Sequence, residues 1–287
     1  QTVNRLCGSG LQAVASAAQA VKAGEGDLFV AGGVESMTRA PYVMLKSSEP
    51  WSRRAPDIAD TTVGWRFTNP RLRKDWTISL GETAEVVAER YKIGRVEQDT
   101  FAVESQRRAE RALKDGVFTD EIVPVLLPDG SSFSTDEYPR AGTTLEGVAK
   151  LKPAFKKDGT VTAASSSGIN DGAAALLVGR SEGGKVGMKP LARVVTTAVA
   201  GVDPSCMGLG PIPATQKALT RAGLTIDQID LVELNEAFAA QAIACIRELK
   251  LDPARVNIYG GGIALGHPLG CTGAKILTTL LYALHRT

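Results

Sequence analysis

Short apolar runs that end in glycine, alternating with segments of helical period, constrain this chain's fold more than any other feature. The clearest set stands at the start. Gln1 to Leu6 reads as a strand running into Cys7-Gly8-Ser9-Gly10. Leu11, Val14, Ala15, Ala18 and Val21 then recur at helical spacing. Gly24 to Asp27 makes a turn, and Leu28 to Ala31 is a short buried run ending in Gly32-Gly33. A β-turn-α-turn-β order of this kind predicts a parallel sheet. Ala and Ser fill the rest of the first helix, which predicts close packing on several sides.

The alternation returns late in the chain. Gly172 to Val178, Leu191 to Ala200, Ile229 to Leu234 and Val256 to Tyr259 read as strands. Pro213 to Ala222, Ala237 to Leu249 and Gly273 to His285 read as helices. Between Ser36 and Lys157 the pattern breaks into charged and proline-rich stretches. Thr83 to Tyr91 and Glu97 to Asp115 are amphipathic helices there, with Asp99 near an N-terminus. That stretch reads as a solvated helical insertion, or as a lid or binding surface for an anionic substrate. The fold class is therefore α/β with an irregular insertion.

Composition removes several functions. The 287 residues correspond to about two domains and can bury a core without staples. The net charge of +2, from 33 basic and 31 acidic residues, is too balanced for a nucleic-acid surface. Aromatic residues, at 5%, are too few for a base-stacking platform. No apolar run approaches the ~20 residues that a bilayer crossing needs. The four cysteines, Cys7, Cys206, Cys245 and Cys271, form no Cys-x-x-Cys pair, so neither a zinc site nor a secreted disulfide scaffold is expected. A reducing compartment fits better. The chain starts without Met and ends on an uncapped apolar helix, so a fragment cut at both ends is expected.

Three places could carry chemistry. Cys7 lies at a strand-to-helix junction with glycines on either side of Ser9; the helix start favours a thiolate, although taken alone a small buried hydrophobe is the better explanation of Cys7. Six glycines fall between Gly260 and Gly273 around His267, which is pinned between Gly266 and Pro268. The run is neither a P-loop nor a dinucleotide fingerprint. Asn235-Glu236 follows a strand and precedes a helix, where N-capping by Asn235 would account for both residues.

Together, Asn4-Arg5-Leu6-Cys7-Gly8-Ser9-Gly10, Asn235-Glu236-Ala237-Phe238-Ala239 and Gly266-His267-Pro268 resemble, in order, the motifs of the thiolases. Gly32-Gly33-Val34-Glu35-Ser36-Met37, Gly81-Glu82-Thr83-Ala84-Glu85, Gly159-Thr160-Val161-Thr162-Ala163 and Ser167-Gly168-Ile169-Asn170-Asp171-Gly172 extend the resemblance over essentially the whole chain. It implies duplicated α/β halves layered α-β-α-β-α with a mostly helical loop domain. The halves would fall at 1–37 and 189–287, with a loop domain over 38–165 and a return strand of the first half in 166–188. The implied activity is acyl-CoA:acetyl-CoA acyl transfer: thiolysis of a 3-ketoacyl-CoA by CoA, or the reverse Claisen condensation.

The resemblance also implies roles. Cys7 would carry the acyl group as a thioester, with its own N–H polarising the acyl carbonyl. His267 would take the thiol proton and help bind the thioester oxygen, and Asn235 would hold a water completing that oxyanion site. Ser167 and Gly168 match a loop along the pantetheine arm, and Arg140 a basic residue near the adenine. Met207, Ala237 and Phe238 match the acyl-CoA pocket. Coenzyme A is a substrate, no cofactor or metal is required, and a homodimer or homotetramer in the cytoplasm is implied, an organelle matrix being the alternative.

This sequence departs from the pattern. Thiolases carry a second reactive cysteine in a Cys-x-Gly-Gly turn well beyond Gly-His-Pro, whereas Thr287 ends this chain; Cys271 reads as a bystander, and the chain alone is expected to be poorly soluble and to lack full activity. Tyr259 and Ser165 stand where Asn is usual. Ser79-Leu80 replaces the His-Met of short-chain biosynthetic members, and Trp65-Arg66-Phe67-Thr68-Asn69-Pro70 resembles degradative bacterial members, including the 3-oxoadipyl-CoA group. Two alternatives are a non-catalytic acyl-CoA or lipid-binding relative, opposed by the retention of Cys7, Asn235 and His267, and a ketosynthase-type condensing enzyme, opposed by Asn235 in place of a histidine.

Overall fold

A computed structural model describes residues 1–180 and 187–287. Residues 1–5 form no regular element, Leu6–Gly8 form a 3₁₀ turn, and α1 spans Ser9–Ala23. Gly24, at φ 78°, closes α1, and β1 follows at Leu28–Ser36. The central stretch holds β2 (Tyr42–Met44) paired antiparallel with β3 (Ile58–Asp60), then α2 (Leu80–Tyr91) and α3 (Arg95–Lys114). It continues through the pair β4 (Val125–Leu126) and β5 (Ser132–Phe133) to the short α4 (Leu145–Ala149). After β6 (Asp171–Gly179) come α5 (Pro211–Ala222), α6 (Ala239–Leu249), α7 (Gly262–Leu265) and α8 (Leu269–Arg286).

β1 and β6 pair antiparallel over their full lengths, from Leu28 opposite Gly179 to Ser36 opposite Asp171. Their inner face, including Phe29, Ala31, Leu176 and Val178, packs on Val14 and Ala17 of α1 and Leu277 of α8. The outer face leaves Val30, Val34 and Leu177 exposed. α1 and α8 lie against each other at backbone distance. A methyl on Gly10 would sit 2.6 Å from the Ala274 nitrogen, and one on Gly273 2.3 Å from the Leu11 nitrogen. Only glycine permits that approach.

The parallel sheet predicted from residues 1–31 is not formed. Residues 1–5 join no ladder, and the partner of β1 comes from far along the chain. The runs at 191–200 and 229–234 form no regular element, 257–259 bend into a turn with Asn257 at φ 48°, and among the described residues these runs make only one parallel bridge, Val232 to Val256. Alternating apolar residues favour extended backbone; a strand needs a neighbour with matching ladder bonds, which periodicity does not encode. Of the return segment 166–188, residues 181–186 lie outside the described residues.

The insertion is less solvated than its charge suggests. Val87 of α2, Ala102 of α3 and Ile93 between them share the largest core with Ile243, Ile246 and Leu249 of α6 and Ile263 of α7. α2 begins three residues before the predicted Thr83 because Ser79 and Glu82 form a reciprocal capping box. α8 likewise starts earlier than predicted, at Leu269. Among the described residues, no helix is long and apolar enough to cross a membrane.

Candidate active site

His267 is 3% exposed and follows α7 directly after Gly266. Gly266 has φ 84°, and a methyl there would lie 2.6 Å from Asn170 Oδ1. The same Asn170 oxygen accepts the His267 backbone N–H at 3.1 Å. The imidazole is held from both sides. Thr272 Oγ1 donates to the Pro268 carbonyl at 2.9 Å, so it accepts from His267 Nδ1, 2.6 Å away. That arrangement assigns the proton to Nδ1 and leaves the Nε2 lone pair as acceptor. Asn235 Nδ2 donates to it at 3.2 Å. Burial, helped by the nearby Lys275 charge, pushes the His267 pKa down to about 4, so the ring is neutral near pH 7.

Asn235 is not a helix cap. α6 starts at Ala239, with Phe238 at the cap position and no side-chain cap bond. The Asn235 amide instead faces His267, and its Oδ1 is a buried acceptor without a partner in the chain. Neighbouring Glu236 takes the structural load. Its carboxylate accepts from Ser105 Oγ at 2.6 Å, Asn257 Nδ2 at 2.8 Å and the Ile263 N–H at 3.2 Å. These bonds join α3, the Val256–Tyr259 run and α7 around Asn235.

Cys7 is half-buried, whereas Cys206, Cys245 and Cys271 are buried. Leu6, at φ 51°, is in the left-handed region and turns the chain sharply just before the thiol. The 3₁₀ turn bearing Cys7 packs against α8, which begins two residues after His267. Glu35 of β1 accepts the Gly270 N–H at 2.8 Å and tethers the start of α8 beside it. The predicted resting thiolate is not found. Burial pushes the Cys7 thiol up to about 11; a backbone hydrogen bond opposes that and the Glu35 charge adds to it. Desolvation outweighs the helix start, so the thiol is neutral at rest and needs a base. Cys271 is 1% exposed, and burial likewise raises it to about 11.

The residues predicted to bind CoA lie on one connected face. Met207, Ala237 and Phe238 pack around Ala84 and Val161 with Leu80, and Phe238 meets Phe155 edge-to-face at 5.9 Å. Ser167 donates its N–H to the Ala237 carbonyl at 3.0 Å. Gly168 lies against the Tyr138 ring, over which the exposed Arg140 guanidinium stands at 5.8 Å. The Arg140 N–H donates to Gln106 Oε1, and Gln106 Nε2 donates to the Ile263 carbonyl, so this face is coupled to α7.

Sequence reasoning missed Glu236, Asn170, Thr272 and Lys275 as site residues. Asn170 stood within a recognised motif and Glu236 beside Asn235; Thr272 and Lys275 carry no local signal, because their partners lie across the fold or on the opposite side of a turn.

Residues 1–182 match the family described as thiolase, N-terminal domain, and residues 188–287 the thiolase, C-terminal domain. The β-ketoadipyl-CoA thiolase of Acinetobacter baylyi is 52% identical over 294 residues, covering 100% of this chain and 73% of that protein. The 3-oxoadipyl-CoA/3-oxo-5,6-dehydrosuberyl-CoA thiolase of Escherichia coli is 52% identical over 293 residues, covering 99% and 73%. Among solved structures, human mitochondrial 3-ketoacyl-CoA thiolase superposes with a TM-score of 0.90 at 41% identity, covering 99% of this chain and 72% of that one. The acetyl-CoA acetyltransferase of Bacillus anthracis gives 0.91 at 43%, covering 99% and 72%.

Proposed function

The chain belongs to the thiolase family, with its layered α/β fold and its CoA-dependent acyl transfer, and from that premise we propose that Cys7, His267 and Asn235 carry the reaction. The observation that supports this reading is the 3.2 Å contact of the Asn235 amide with the acceptor Nε2 of a neutral His267, together with the packing of the turn that bears the half-buried Cys7 thiol against α8, which begins two residues after that histidine. As a 3-ketoacyl-CoA enters, Asn235 leaves the His267 lone pair, and Nε2 takes the Cys7 proton while sulfur attacks the keto carbon. The bond between C2 and C3 breaks; its electron pair leaves on acetyl-CoA as an enolate that takes up a proton. The acyl thioester on Cys7 is then transferred to the thiol of free CoA. His267, now protonated at Nε2, and the Asn235 amide stabilise the charge that develops on the reacting oxygen. This chemistry needs no metal or redox group.

Met207, Ala237 and Phe238 form the acyl end of the site in this reading, Ser167 and Gly168 the pantetheine passage, and Arg140 the mouth. Two relatives 52% identical to the chain carry names that specify 3-oxoadipyl-CoA or β-ketoadipyl-CoA. The substrate class favoured is therefore a 3-ketoacyl-CoA with a terminal carboxylate. We assign a homodimer or homotetramer in the cytoplasm. Support comes from exposed Val30 and Val34 on β1 and exposed Tyr42, Met44 and Ile58 on the β2–β3 hairpin, and from four cysteines that are all free.

The test is acid-quenched incubation of the enzyme with acyl-CoA, followed by peptide mapping. Label on Cys7 is expected, and label on Cys271 sinks the assignment. For substrate class, kcat/KM should be higher with 3-oxoadipyl-CoA than with 3-ketooctanoyl-CoA or acetoacetyl-CoA; the reverse order would remove the dicarboxylate reading while leaving the thiolase chemistry in place.

A further inference from the structure

Behind His267 and Asn235 stands a charged group that this chemistry does not use. Lys275 lies in the second turn of α8, and its Nζ donates to the Leu265 carbonyl at 2.9 Å. Leu265 is the last residue of α7, directly before Gly266 and His267. Lys275, Glu233, Asn235, Gly266 and Thr272 line one small cavity of about 10 Å³. That is room for about one water and none for a substrate, so the cluster acts on the site from behind.

The charges around it are mixed. Glu233 lines the cavity with Lys275, and the charges of Asp136, Cys271 and Glu121 also act on it. The elements packed around His267 bring Cys7 from the 3₁₀ turn, Glu35 from β1, Glu233 and Glu236 from the segment before α6, and Cys271 and Lys275 from α8. Lys275 is the cation of that set: burial pushes its pKa down, and the neighbouring acids, Asp136 first, oppose that and favour the ammonium that also donates to Leu265. Two positive charges held close with little water between them repel, so an ammonium at this position penalises an imidazolium.

We propose that Lys275 is a positioning residue for acyl transfer: it clamps the carbonyl that ends α7 and holds positive charge behind His267, so that the imidazole stays an uncharged proton acceptor. The clamp fixes where His267 leaves α7; the charge fixes its protonation. The proposal rests on the reading of His267 as the base. Burial does the larger part of keeping the ring neutral, and Lys275 adds to it.

Three substitutions separate clamp from charge. Lys275→Gln keeps an N–H donor for Leu265 and removes the charge, Lys275→Met removes both, and Lys275→Arg keeps both. The His267 midpoint is read by ¹⁵N-imidazole NMR, with His285→Gln assigning the second resonance of this chain. The Gln and Met variants should raise the midpoint by about one unit, the low end of what one neighbouring charge does, and Arg should leave it in place. The acid limb of kcat/KM should move to higher pH with it in the Gln variant, a loss of up to about tenfold at a pH on that limb. An unmoved midpoint in a folded Lys275→Gln enzyme overturns the proposal. If that variant does not fold, Lys275→Met decides: a raised midpoint supports the proposal and an unmoved one overturns it. The NMR signal does not depend on turnover. A midpoint that shifts without the rate profile following keeps the hold of Lys275 on the ring and rejects His267 as the base.

Discussion

Around Cys7 the hydrogen bonds are local and near the surface. Arg5 N–H donates to Ser9 Oγ at 2.9 Å, Ser9 Oγ to the Leu6 carbonyl at 2.6 Å, and Leu6 N–H to Asn4 Oδ1 at 2.9 Å. Around His267 they come from Asn170, Asn235 and Thr272, residues 97, 32 and 5 positions away, and the ring is buried. In the proposed mechanism the difference follows from what each group must do. A nucleophile has to be reached by a bulky thioester and must change its own bonding partners. A base has to present one lone pair in one direction through two half-reactions, which a ring free to rotate would not do.

The contrast predicts that the two ends divide chemistry from stability. Cys7→Ala should abolish thiolysis yet change the unfolding free energy by about 1 kcal/mol or less, since the side chain is small and half-exposed; urea unfolding beside the activity assay checks both, and a large stability loss would break the contrast. Asn235→Ala should lower kcat on the order of 10²–10³, the range for a lost oxyanion donor. A normal kcat with only weaker CoA binding would return Asn235 to a structural role.

The base end should also show itself in acid. Folded His267 titrates at about 4 against an ordinary 6.5, so between these values the unfolded chain binds the extra proton. Stability should therefore fall as pH drops from 6.5 to 4, by up to about 3 kcal/mol from this group. In His267→Gln that component should vanish, giving a shallower loss of urea midpoint between pH 7 and 4.5; equal slopes would show that the ring is not held neutral by the fold. The smallest effect belongs to the nucleophile end. Ser9→Ala removes two surface hydrogen bonds and should cost about 0.5–1 kcal/mol. A loss several times larger, by thermal melting, would mean that the turn around Cys7 is as rigid as the one around His267.

Helices were legible in the sequence because their bonds are local. The period of residues 11–21 and the glycines after Ala23 and Ala222 mark α1 and α5 closely. The Ser79-x-x-Glu82 signal for the start of α2 was equally local, and was overlooked. Strand pairing was not legible: β1 finds β6 across more than a hundred residues, and nothing in Leu28 to Ala31 records that partner. The site divides in the same way. Cys7, Asn235 and His267 stood out through motif resemblance, but the neutral state of the thiol depends on burial that a helix-start argument ignores. Asn235 looked like a cap because capping is judged from neighbours in sequence, whereas its contact is with a ring on another turn.

Gly10 and Gly273 let α1 and α8 touch main chain to main chain. The spacing between α1, which follows Cys7, and α8, which follows His267, is thus gauged by peptide backbone, which has one thickness, and not by side chains, which come in many. The acyl end of the proposed site, with Met207, Leu80 and Phe238, is bounded mainly by side chains, among them Phe155. Such a scaffold can be retuned to a longer, shorter or charged acyl group by exchanging those residues, while the interval between the two helices stays as the two glycines set it.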